Sequence, residues 1–554
     1  MLIDQLKAIQ HRHGYLPAEE LHALAERTNT PLYEIHGVAS FYPHFRLEPP
    51  PPVDIRVCAD VSCHLRGAYD VLATVRETVE RAGLDGWVVG ETSCLGQCDG
   101  APAVAINGRS YGRVTLDSLA RQVETLAEGR PLRRQGLRRP QSTGEIDPYD
   151  GESRYEGLTQ FVQSGDPESV IAALKESGLR GMGGAGFPAG MKWDLVRKTP
   201  ADIKYVICNA DESEPGTCKD RELLRTAPHL VVEGIILGAL VSGATKGYIF
   251  LRHEYDRERE IVGRTIKQCY RDRLLGDRLL GTDHTFHLEI FDSPGGYICG
   301  EETALLEALE GKRAEPRNKP PFPGTHGLYG KPTLINNVET FAWVPSILRR
   351  GAAWFKGRGV NGASGLKYIA LSGHVRRPGV YEIPLGTTVA DLIASYGGGM
   401  LDGLTLKAFA PGGASSGFLP ASMADIPLDF GALAKAGSML GSGAVVAVAD
   451  GTCMLDLAKN VATFFRNESC GKCVPCRTGS QQLVTLLDRV SRGEGTPDLL
   501  DPVADLAETM ALTSICGLGQ AAPLPVTSVL KYFPDEVYDH ITKRRCPSGV
   551  CFRE

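Results

Sequence analysis

The sequence predicts a multidomain α/β protein with grouped cysteines that bind metal. The chain has 554 residues, several times the size of a typical single domain. Helical and strand patterns alternate along most of its length. Its fifteen cysteines fall into groups with short internal spacings, which are typical of thiolates that bind metal.

Composition excludes several classes of protein. The 66 acidic and 60 basic residues give a net charge of −6, and 42% hydrophobic with 23% charged residues is an ordinary globular balance, unlike that of a nucleic-acid-binding or disordered protein. The N-terminus lacks the pattern of a secretion signal, and the apolar stretch 231–241 is too short to cross a bilayer. We expect a soluble cytoplasmic protein without nucleic-acid or membrane partners, whose cysteines bind metal rather than form disulfides.

The first part of the chain predicts helices followed by a small α/β domain. In residues 1–48, an apolar helix face is followed by a second helix that begins at Thr30 and Pro31 and ends at Gly37. A stiff run of prolines then leads to residues 53–128. There a strand over 53–57 precedes a helix, and Asn107 and Gly108 predict a β-hairpin.

The rest of the chain predicts a linker and three further domains. Residues 129–157 have the composition of a linker, and its basic residues are either a solvated connector or a docking segment for an acidic partner. Residues 158–360 predict an α/β domain, 361–440 a small β-grasp-like (SLBB-type) insert, and 441–554 a helical domain. The basic residues are Arg133, Arg134, Arg138 and Arg139.

One cysteine group predicts a four-iron, four-sulfur (4Fe-4S) cluster. Cys470, Cys473 and Cys476 have the C-x2-C-x2-C spacing with which one loop reaches three corners of a cubic cluster. The sequence does not continue with the fourth cysteine of two-cluster ferredoxins, so Cys516 is the candidate for the fourth ligand. A structural zinc site is the alternative.

Two cysteine pairs predict a two-iron, two-sulfur (2Fe-2S) cluster. Cys58 and Cys63 directly follow the first strand, and Cys94 and Cys98 precede the hairpin. Two pairs on neighbouring loops suit a cluster in which each iron takes two thiolates. Zinc is again the alternative, although zinc ribbons normally use paired C-x2-C.

The C-terminal tail offers a third group. Cys453, His540, Cys546 and Cys551 would complete a tetrahedral zinc site that fixes the tail to the helical domain. The alternative is free thiols near a frayed end. The remaining cysteines are expected to be small buried apolar residues; they are Cys208, Cys218, Cys269 and Cys299.

A glycine-rich loop predicts a phosphate or flat-ring site. The segment 178–193 contains G-x-G-x-x-G, but a helix rather than a strand precedes it, so it does not fit the Rossmann pattern. Its six glycines allow close backbone approach with N–H groups directed at an anion, and Lys192 adds positive charge. The alternative is a flexible hairpin loop.

Acidic and amide side chains mark the same predicted site. Four of them follow a buried strand at its carboxyl end, where α/β folds bind ligands. Glu301 and Glu302 lie at the first turn of a helix, where the dipole stabilises carboxylates. A later segment adds a cation, a ring and two amides that suit a nucleotide. The strand-end group is Asn209, Asp211, Glu212 and Glu214, and the later group is Lys319, Phe322, Asn336 and Asn337.

These motifs together resemble a known family. LRGMGGAGFPAGMKW, CNADESEPGTCKDR, YICGEETALLEALEGKR, KPPFPGTHGLYGKPTLINNVET and ESCGKCVPCRTG, within residues 160–545, are similar to the NADH-binding flavoprotein subunit of respiratory complex I and its relatives. Residues 1–127, with GVASFYPHF and the two cysteine pairs, resemble the thioredoxin-like ferredoxin subunit of the same module, fused in front. The tail resembles that of bifurcating hydrogenase relatives, whose appended eight-cysteine ferredoxin is absent here.

The resemblance implies flavin mononucleotide (FMN), a nicotinamide nucleotide and the two iron–sulfur clusters. Leu195 departs from the aromatic residue usual in the family, and Met182 stands where many relatives have Arg or Gly; both changes would loosen nucleotide contacts without removing the flavin. Implied to bind FMN are the glycine loop with Gly181, Gly183, Gly184 and Gly186, and Lys192, Asn209, Asp211, Asn336 and Asn337. Implied to lie near the nicotinamide nucleotide are Phe187, Glu214, Lys319 and Phe322.

Flavin takes up a hydride as two electrons and can release them singly to iron–sulfur clusters, so the implied function is that of a diaphorase subunit. The single-chain arrangement favours the β subunit of a cytoplasmic NAD-dependent formate dehydrogenase, whose partner is a molybdenum or tungsten α subunit with iron–sulfur clusters. The alternatives are a diaphorase subunit of a NAD-reducing hydrogenase and a complex I flavoprotein. Two alternatives belong to other functional classes. The first is an electron-transfer scaffold without flavin, and the purified protein would then not be yellow. The second is a structural zinc protein, which would contain neither iron nor labile sulfide.

Overall fold

The computed structural model describes residues 2–136, 144–149 and 154–552. The strands in these residues are β1 Asp54–Cys58, β2 Val88–Thr92, β3 Val104–Ile106, β4 Arg109–Tyr111, β5 Tyr205–Ala210, β6 Lys246–Arg252, β7 His287–Ser293, β8 Thr333–Asn337, β9 Leu366–Gly373, β10 Gly379–Pro384, β11 Leu406–Ala410, β12 Leu419–Pro420 and β13 Ala444–Ala449. The α-helices are α1 Leu2–His13, α2 Ala18–Thr28, α3 Leu32–Ala39, α4 Val61–His64, α5 Ala68–Arg81, α6 Leu116–Ala127, α7 Glu156–Ser164, α8 Pro167–Ser177, α9 Ala189–Lys198, α10 Lys219–Thr226, α11 Pro228–Ser242, α12 Asp256–Arg271, α13 Glu302–Leu309, α14 Val338–Arg350, α15 Ala352–Lys356, α16 Val389–Asp391, α17 Phe430–Lys435, α18 Met454–Asn467, α19 Val474–Ser491, α20 Val503–Thr513, α21 Gly517–Ala521, α22 Leu524–Tyr532 and α23 Pro534–Thr542.

The chain folds into two compact units, each built from separated segments. The first unit contains Met1–Val53, Gly144–Ser213 and Asp220–Arg358. The second contains Asp54–Thr143, Glu214–Lys219 and Gly359–Glu554. The short segment Glu214–Lys219 therefore belongs to the second unit although the chain on both sides of it belongs to the first.

The first unit is built on a parallel four-stranded sheet with the order β7-β6-β5-β8. From β5 the chain adds β6 and β7 on one side and β8 on the other. The strand order thus reverses between β5 and β8, which opens a crevice at their carboxyl ends. Helix α11 is apolar on all sides and almost completely buried, as expected of a core helix.

The N-terminal helices pack on the first unit. Ile3, Leu6 and Ile9 form the buried face of α1, whereas the sequence pattern predicts Leu2 in place of Ile3. The Tyr42 hydroxyl donates to the Lys312 carbonyl, and the His44 backbone N–H donates to the Pro294 carbonyl at 3.3 Å. Helix α3 runs past the predicted end at Gly37 to Ala39.

Part of the predicted linker is also packed on the first unit. Ile146 and Tyr149 are buried, and the Tyr149 hydroxyl donates to Glu233 Oε1 at 2.8 Å. Residues 144–149 are therefore anchored rather than solvated. Arg138 and Arg139 lie outside the described residues.

The second unit begins with a four-stranded sheet of order β2-β1-β3-β4. β3 and β4 form the predicted hairpin, and Asn107 and Gly108 both have positive φ, at 48° and 78°, as a type I′ turn requires. Strand β2, which the sequence pattern does not predict, pairs parallel with β1. Its residues are half exposed, so they lack the apolar alternation that predicts a strand.

A second sheet and a helical region complete this unit. The sheet has the order β10-β9-β13-β11-β12, and Val389, Leu392 and Ile393 lie in its core. Strand β13 comes from residues that the sequence pattern assigns to the helical region, and it pairs parallel with β9. Helices α18 to α23 follow.

In the part of the chain that the structure describes, no single helix is both long and apolar enough to span a membrane. Helices α10 and α11 pass such a test only as a pair, and they are bent by 96° where they meet.

Candidate functional site

Two asparagines mark the crevice of the first unit. Asn209 on β5 is the register partner of Asn337 on β8, so their side chains come from neighbouring strand ends. Asn209 Nδ2 donates to the Gly300 carbonyl at 2.8 Å, and Asn337 Oδ1 accepts from the Glu339 N–H at 3.0 Å, which caps α14. Both amides are held by backbone contacts, so the crevice is preorganised.

The glycine loop joins α8 to α9 and is fixed beside the crevice. Its two ends meet, because the Gly181 N–H donates to the Phe187 carbonyl at 2.8 Å. The Met182 N–H donates to Thr340 Oγ1 at 2.9 Å. A Cβ on Gly183 would lie 3.0 Å from Asn337 Cβ, so this approach requires glycine. Gly184 and Gly186 have φ of 132° and 63°, which also favours glycine.

Two lysines and two glutamates form one ion-pair cluster in this unit. Lys319 Nζ lies 2.8 Å from Glu301 and 3.1 Å from Glu302, and Lys192 Nζ lies 3.5 Å from Glu302 and 3.1 Å from the Ile335 carbonyl. Burial alone would raise the pKa of Glu302, but Lys192 and Lys319 hold that pKa below its ordinary value. All four predicted residues are thus brought together.

Two buried acceptor atoms at the strand ends have no hydrogen-bond partner. They are Asp211 Oδ1 and Asn336 Oδ1. Asp211 Oδ2 accepts from Ser213 Oγ at 3.1 Å, and burial raises the pKa of this carboxyl to about 8. Because buried acceptors are normally satisfied, these two oxygens fit the hydroxyl donors of FMN, whereas the glycine-loop N–H groups and Lys192 fit its phosphate.

Two other predicted glutamates are engaged within the protein. Glu212 accepts from the Asp220 and Arg221 N–H groups at 2.7 and 2.9 Å, so it caps α10. Glu214 belongs to the second unit, where it accepts from the Ser415 N–H at 2.7 Å. Neither contact is visible in a sequence pattern.

Two exposed rings could stack on a flat ligand. Phe187 and Phe322 are exposed by 47% and 55%. Leu195, which replaces the usual aromatic residue, is 47% exposed and packs near Gly324, at which a Cβ would be 3.1 Å from Leu195 Cδ2. Met182 is buried, so its side chain does not line an open surface.

The four cysteines predicted to hold the 2Fe-2S cluster lie together and are buried. The Cys58 thiol is hydrogen-bonded to Cys63 and Cys94, and these bonds together with burial raise its pKa well above the ordinary value. Cys94 Sγ lies 3.5 Å from Cys98 Sγ. Burial and the neighbouring thiols therefore disfavour a Cys58 thiolate, which the positive charge of a bound metal centre would stabilise.

A backbone N–H group also contacts this cysteine set, which the sequence pattern does not predict. The Gly216 N–H donates to Cys98 Sγ at 3.3 Å, and the Cys218 thiol lies 3.7 Å from Asp99 Oδ1. Hydrogen bonds to ligand sulfurs tune the potential of a cluster. The Pro215-Gly216 pair predicts a turn, but no sequence pattern shows what the turn contacts.

The 4Fe-4S candidates lie at two helix N-termini. Cys473 is the N-cap of α19, and Cys516 is the N-cap of α21. Cys476 is close to Cys473 and Cys470, and burial, opposed by the hydrogen bond to Ser469, raises its pKa to about 11. Gly519 brings α21 against this loop, since its Cβ would be 2.8 Å from Cys476 Cβ. Helix N-termini stabilise an anionic cluster.

The tail residues converge on one point. The ligand atoms of Cys453, His540, Cys546 and Cys551 all lie within 4.8 Å of one another. Cys453 Sγ is 3.8 Å from Cys551 Sγ and 3.2 Å from His540 Nε2. Two sulfurs bound to tetrahedral zinc at ~2.3 Å would be ~3.8 Å apart, so this donor set fits zinc.

Two of the tail residues have shifted pKa values in the metal-free chain. Burial opposes charge on His540, but the Cys453 thiol raises the pKa of His540 to about 9. Burial would raise the pKa of Cys546, whereas the hydrogen bonds from Ser548 and the Cys551 backbone lower it to about 6. A Cys546 thiolate is therefore available at neutral pH, whereas a metal ion would have to displace a proton from His540 in order to bind it.

The four remaining cysteines are buried, as expected. Cys269 lies 3.4 Å from the Tyr155 hydroxyl, and Cys299 lies 3.3 Å from the Gly295 carbonyl. These contacts indicate packing roles.

Four protein-family models match the chain. They are the thioredoxin-like [2Fe-2S] ferredoxin over residues 1–127, the Nuo51 FMN-binding domain over 174–346, the SLBB domain over 368–419 and the NADH-ubiquinone oxidoreductase-F iron-sulfur binding region over 456–540. These matches confirm the predicted fold class and the predicted cofactor set of FMN, NAD, one 2Fe-2S and one 4Fe-4S cluster.

Two curated proteins and one crystal structure illustrate what the chain is similar to. The F 2 subunit of NADH-quinone oxidoreductase from Rhizobium meliloti is 44% identical over 402 residues, covering 73% of this chain and 96% of that protein. The HndC subunit of the NADP-reducing hydrogenase from Solidesulfovibrio fructosivorans is 41% identical over 406 residues, covering 73% and 82%. A chain of the NAD+-reducing [NiFe]-hydrogenase in the air-oxidized state superposes with a TM-score of 0.87 at 32% identity, covering 97% of this chain and 93% of that chain.

Proposed function

Because this chain belongs to the family of the NADH-quinone oxidoreductase F subunits, we propose that it is the diaphorase subunit of an NAD-dependent formate dehydrogenase. Its general class is that of a flavin and iron–sulfur electron-transfer subunit that oxidises NADH. The proposal concerns the partner, which would be a molybdenum or tungsten α subunit that oxidises formate in the cytoplasm.

The observation that best supports the diaphorase function is that one chain contains both a preorganised crevice and the cysteine sets predicted to bind the 2Fe-2S and 4Fe-4S clusters. In the crevice, the free oxygens of Asp211 and Asn336 would accept from FMN hydroxyls, and Lys192 with the loop N–H groups would bind its phosphate. Bound FMN supplies the conversion between two-electron hydride transfer and single-electron transfer.

The residues of this chain need only bind and orient, because hydride transfer to flavin requires no strong acid or base. The exposed rings of Phe187 and Phe322 offer stacking surfaces for the nicotinamide nucleotide. The cluster of Lys319 with Glu301 and Glu302 provides both a cation for its phosphates and acceptors for its ribose hydroxyls. Glu214 is assigned to the nicotinamide region on the family resemblance alone.

The fused ferredoxin and flavoprotein parts support the formate dehydrogenase partner, since the family resemblance associates this single-chain arrangement with the β subunits of that class. A hydrogen-activating partner is the second candidate. It is favoured by the structural likeness to the [NiFe]-hydrogenase chain, which extends over 97% of this chain and thus includes the fused ferredoxin part.

Purification of the native complex tests the partner. We expect NAD+ reduction with formate and molybdenum or tungsten in the preparation. NAD+ reduction with hydrogen, and nickel in the preparation, would replace the formate proposal by the second candidate.

A cysteine variant tests the route within the chain. Cys516→Ser is expected to abolish NAD+ reduction by the partner's substrate but to keep NADH-driven reduction of a dye that accepts electrons from flavin. Cys269→Ser is the matched control, because serine can keep the contact with the Tyr155 hydroxyl and both activities should remain. Retention of partner-driven NAD+ reduction in Cys516→Ser would contradict the proposed route through the 4Fe-4S cluster.

A further inference from the structure

Helix α18 connects the tail metal cluster to the ligand loop of the 2Fe-2S cluster, and all of these residues lie in the second unit. At the start of the helix, Cys453 belongs to the tail cluster and is also the N-cap: its Sγ accepts from the Asp456 N–H at 3.4 Å. The same thiolate would therefore hold the metal ion and the first turn of α18.

The first two turns of α18 also contact the ferredoxin loop. Asp456 Oδ2 lies 2.8 Å from His64 Nε2, and His64 directly follows the ligand Cys63. Asn460 Nδ2 donates to the Ala59 carbonyl at 2.8 Å, and Ala59 directly follows the ligand Cys58. Asp456 and Asn460 are four residues apart, so they lie on one face of the helix.

The start of α18 depends on the tail for its position. Glu536 Oε1 accepts from the Met454 N–H at 2.6 Å, and the Glu536 carbonyl lies 2.7 Å from His540 Nδ1. With Nδ1 donating to this carbonyl, His540 presents Nε2 to the cluster, which is the usual outer contact of a metal-bound histidine. A bound ion would thus fix Cys453, His540 and the first turn of α18 together.

We propose that the metal ion of the Cys453, His540, Cys546 and Cys551 cluster positions the 2Fe-2S ligand loop through α18, with Asp456 and Asn460 as positioning residues. The ion is then a structural determinant of the ferredoxin cluster's environment. This inference rests on the tail metal ion and on the 2Fe-2S cluster, and it is independent of which catalytic partner the chain serves.

The test uses the full chain and reads the 2Fe-2S cluster by electron paramagnetic resonance after reduction, with the 4Fe-4S signal as internal reference. Three variants are compared: Cys551→Ser, which weakens the metal site; Asp456→Asn, which keeps the metal site but removes the charge facing His64; and Asp488→Asn. Asp488, on α19, is the matched control. Its carboxylate lies 3.4 Å from Lys459 of α18, but it does not contact the ferredoxin loop.

We expect zinc in the wild-type protein, and in both Cys551→Ser and Asp456→Asn a shifted 2Fe-2S signal and loss of this cluster to a chelator at least threefold faster. The 4Fe-4S signal and the Asp488→Asn protein should be unchanged. The proposal is overturned if the wild type contains no metal at the tail, or if Cys551→Ser leaves the 2Fe-2S signal and its rate of loss unchanged. It is also overturned if Asp488→Asn has the same effect as Asp456→Asn.

Discussion

Replacing Asp211 by Asn should stabilise the flavin-free protein and weaken its binding of FMN. Its carboxyl is buried, one of its oxygens has no hydrogen-bond partner, and burial, only partly offset by Arg252 and Ser293, raises its pKa to about 8 from 3.8. A carboxyl whose folded pKa is raised lowers stability above its unfolded pKa. The penalty is absent below pH 3.8, grows between pH 3.8 and about 8, and is constant above.

The magnitude follows from the pKa. At pH 7 the difference of about 3 pKa units corresponds to about 4 kcal/mol, so Asp211→Asn should stabilise the flavin-free protein by up to that amount at pH 7 and by almost nothing at pH 4. The same change replaces a charged acceptor for an FMN hydroxyl by a neutral one. This difference is about 1.4 kcal/mol per hydrogen bond, or a tenfold higher Kd for FMN above pH 8, where the wild-type carboxyl is already ionised.

The wild-type affinity should also depend on pH. If FMN binds the ionised carboxylate, each pH unit below about 8 weakens binding tenfold because a proton must be released. Asp211→Asn should remove this part of the slope.

The assay is a fluorescence titration of the deflavinated chain with FMN between pH 6 and about pH 9, one unit above the pKa of Asp211, with thermal unfolding of the same samples. Ser213→Ala is the control, because it removes a neutral hydrogen bond to Asp211 Oδ2 but keeps the charge and the pH slope. An Asp211→Asn protein with wild-type affinity and wild-type pH slope would refute the placement of FMN at this carboxyl.

Three further variants test the crevice and a buried carboxyl elsewhere in the first unit. Gly183→Ala should reduce the bound FMN after purification, because the new Cβ would lie 3.0 Å from Asn337 Cβ; an unchanged flavin content would show that the loop has room to move. Lys192→Gln should raise the Kd for FMN about tenfold through loss of a charge-assisted contact, measured by the same titration, and an unchanged Kd would place the phosphate elsewhere. Glu233→Gln should raise the thermal midpoint more at pH 8 than at pH 5, because burial raises the pKa of Glu233 to about 7 and its charge costs up to about 3 kcal/mol above that pH; equal gains at both pH values would contradict this.

Chemistry that depends on spacing along the chain could be predicted from the sequence. Cys470, Cys473 and Cys476 share one loop, and Asn107 with Gly108 permits one kind of turn, so local geometry determines the outcome. Spacing was not enough for the tail group, because Cys453 is far along the chain from Cys546 and Cys551, and the sequence leaves a zinc site and free thiols as alternatives. The structure brings these three cysteines together with His540.

Contacts that depend on tertiary packing could not be predicted. Glu212 caps α10 and Gly216 donates to Cys98, and neither partner can be identified without knowing which segments meet. Strand β2 lies at a sheet edge, where half-exposed side chains remove the apolar alternation that reveals a strand. Residues 144–149 have the composition of a linker, yet two buried side chains anchor them.

The most direct test of the central claim is an anaerobic titration of the purified chain with NADH, followed by flavin absorbance and by electron paramagnetic resonance of both clusters. NADH should bleach bound FMN, and reduced iron–sulfur signals should then develop in the same protein. A chain that holds both clusters but neither binds FMN nor takes up electrons from NADH would contradict the account.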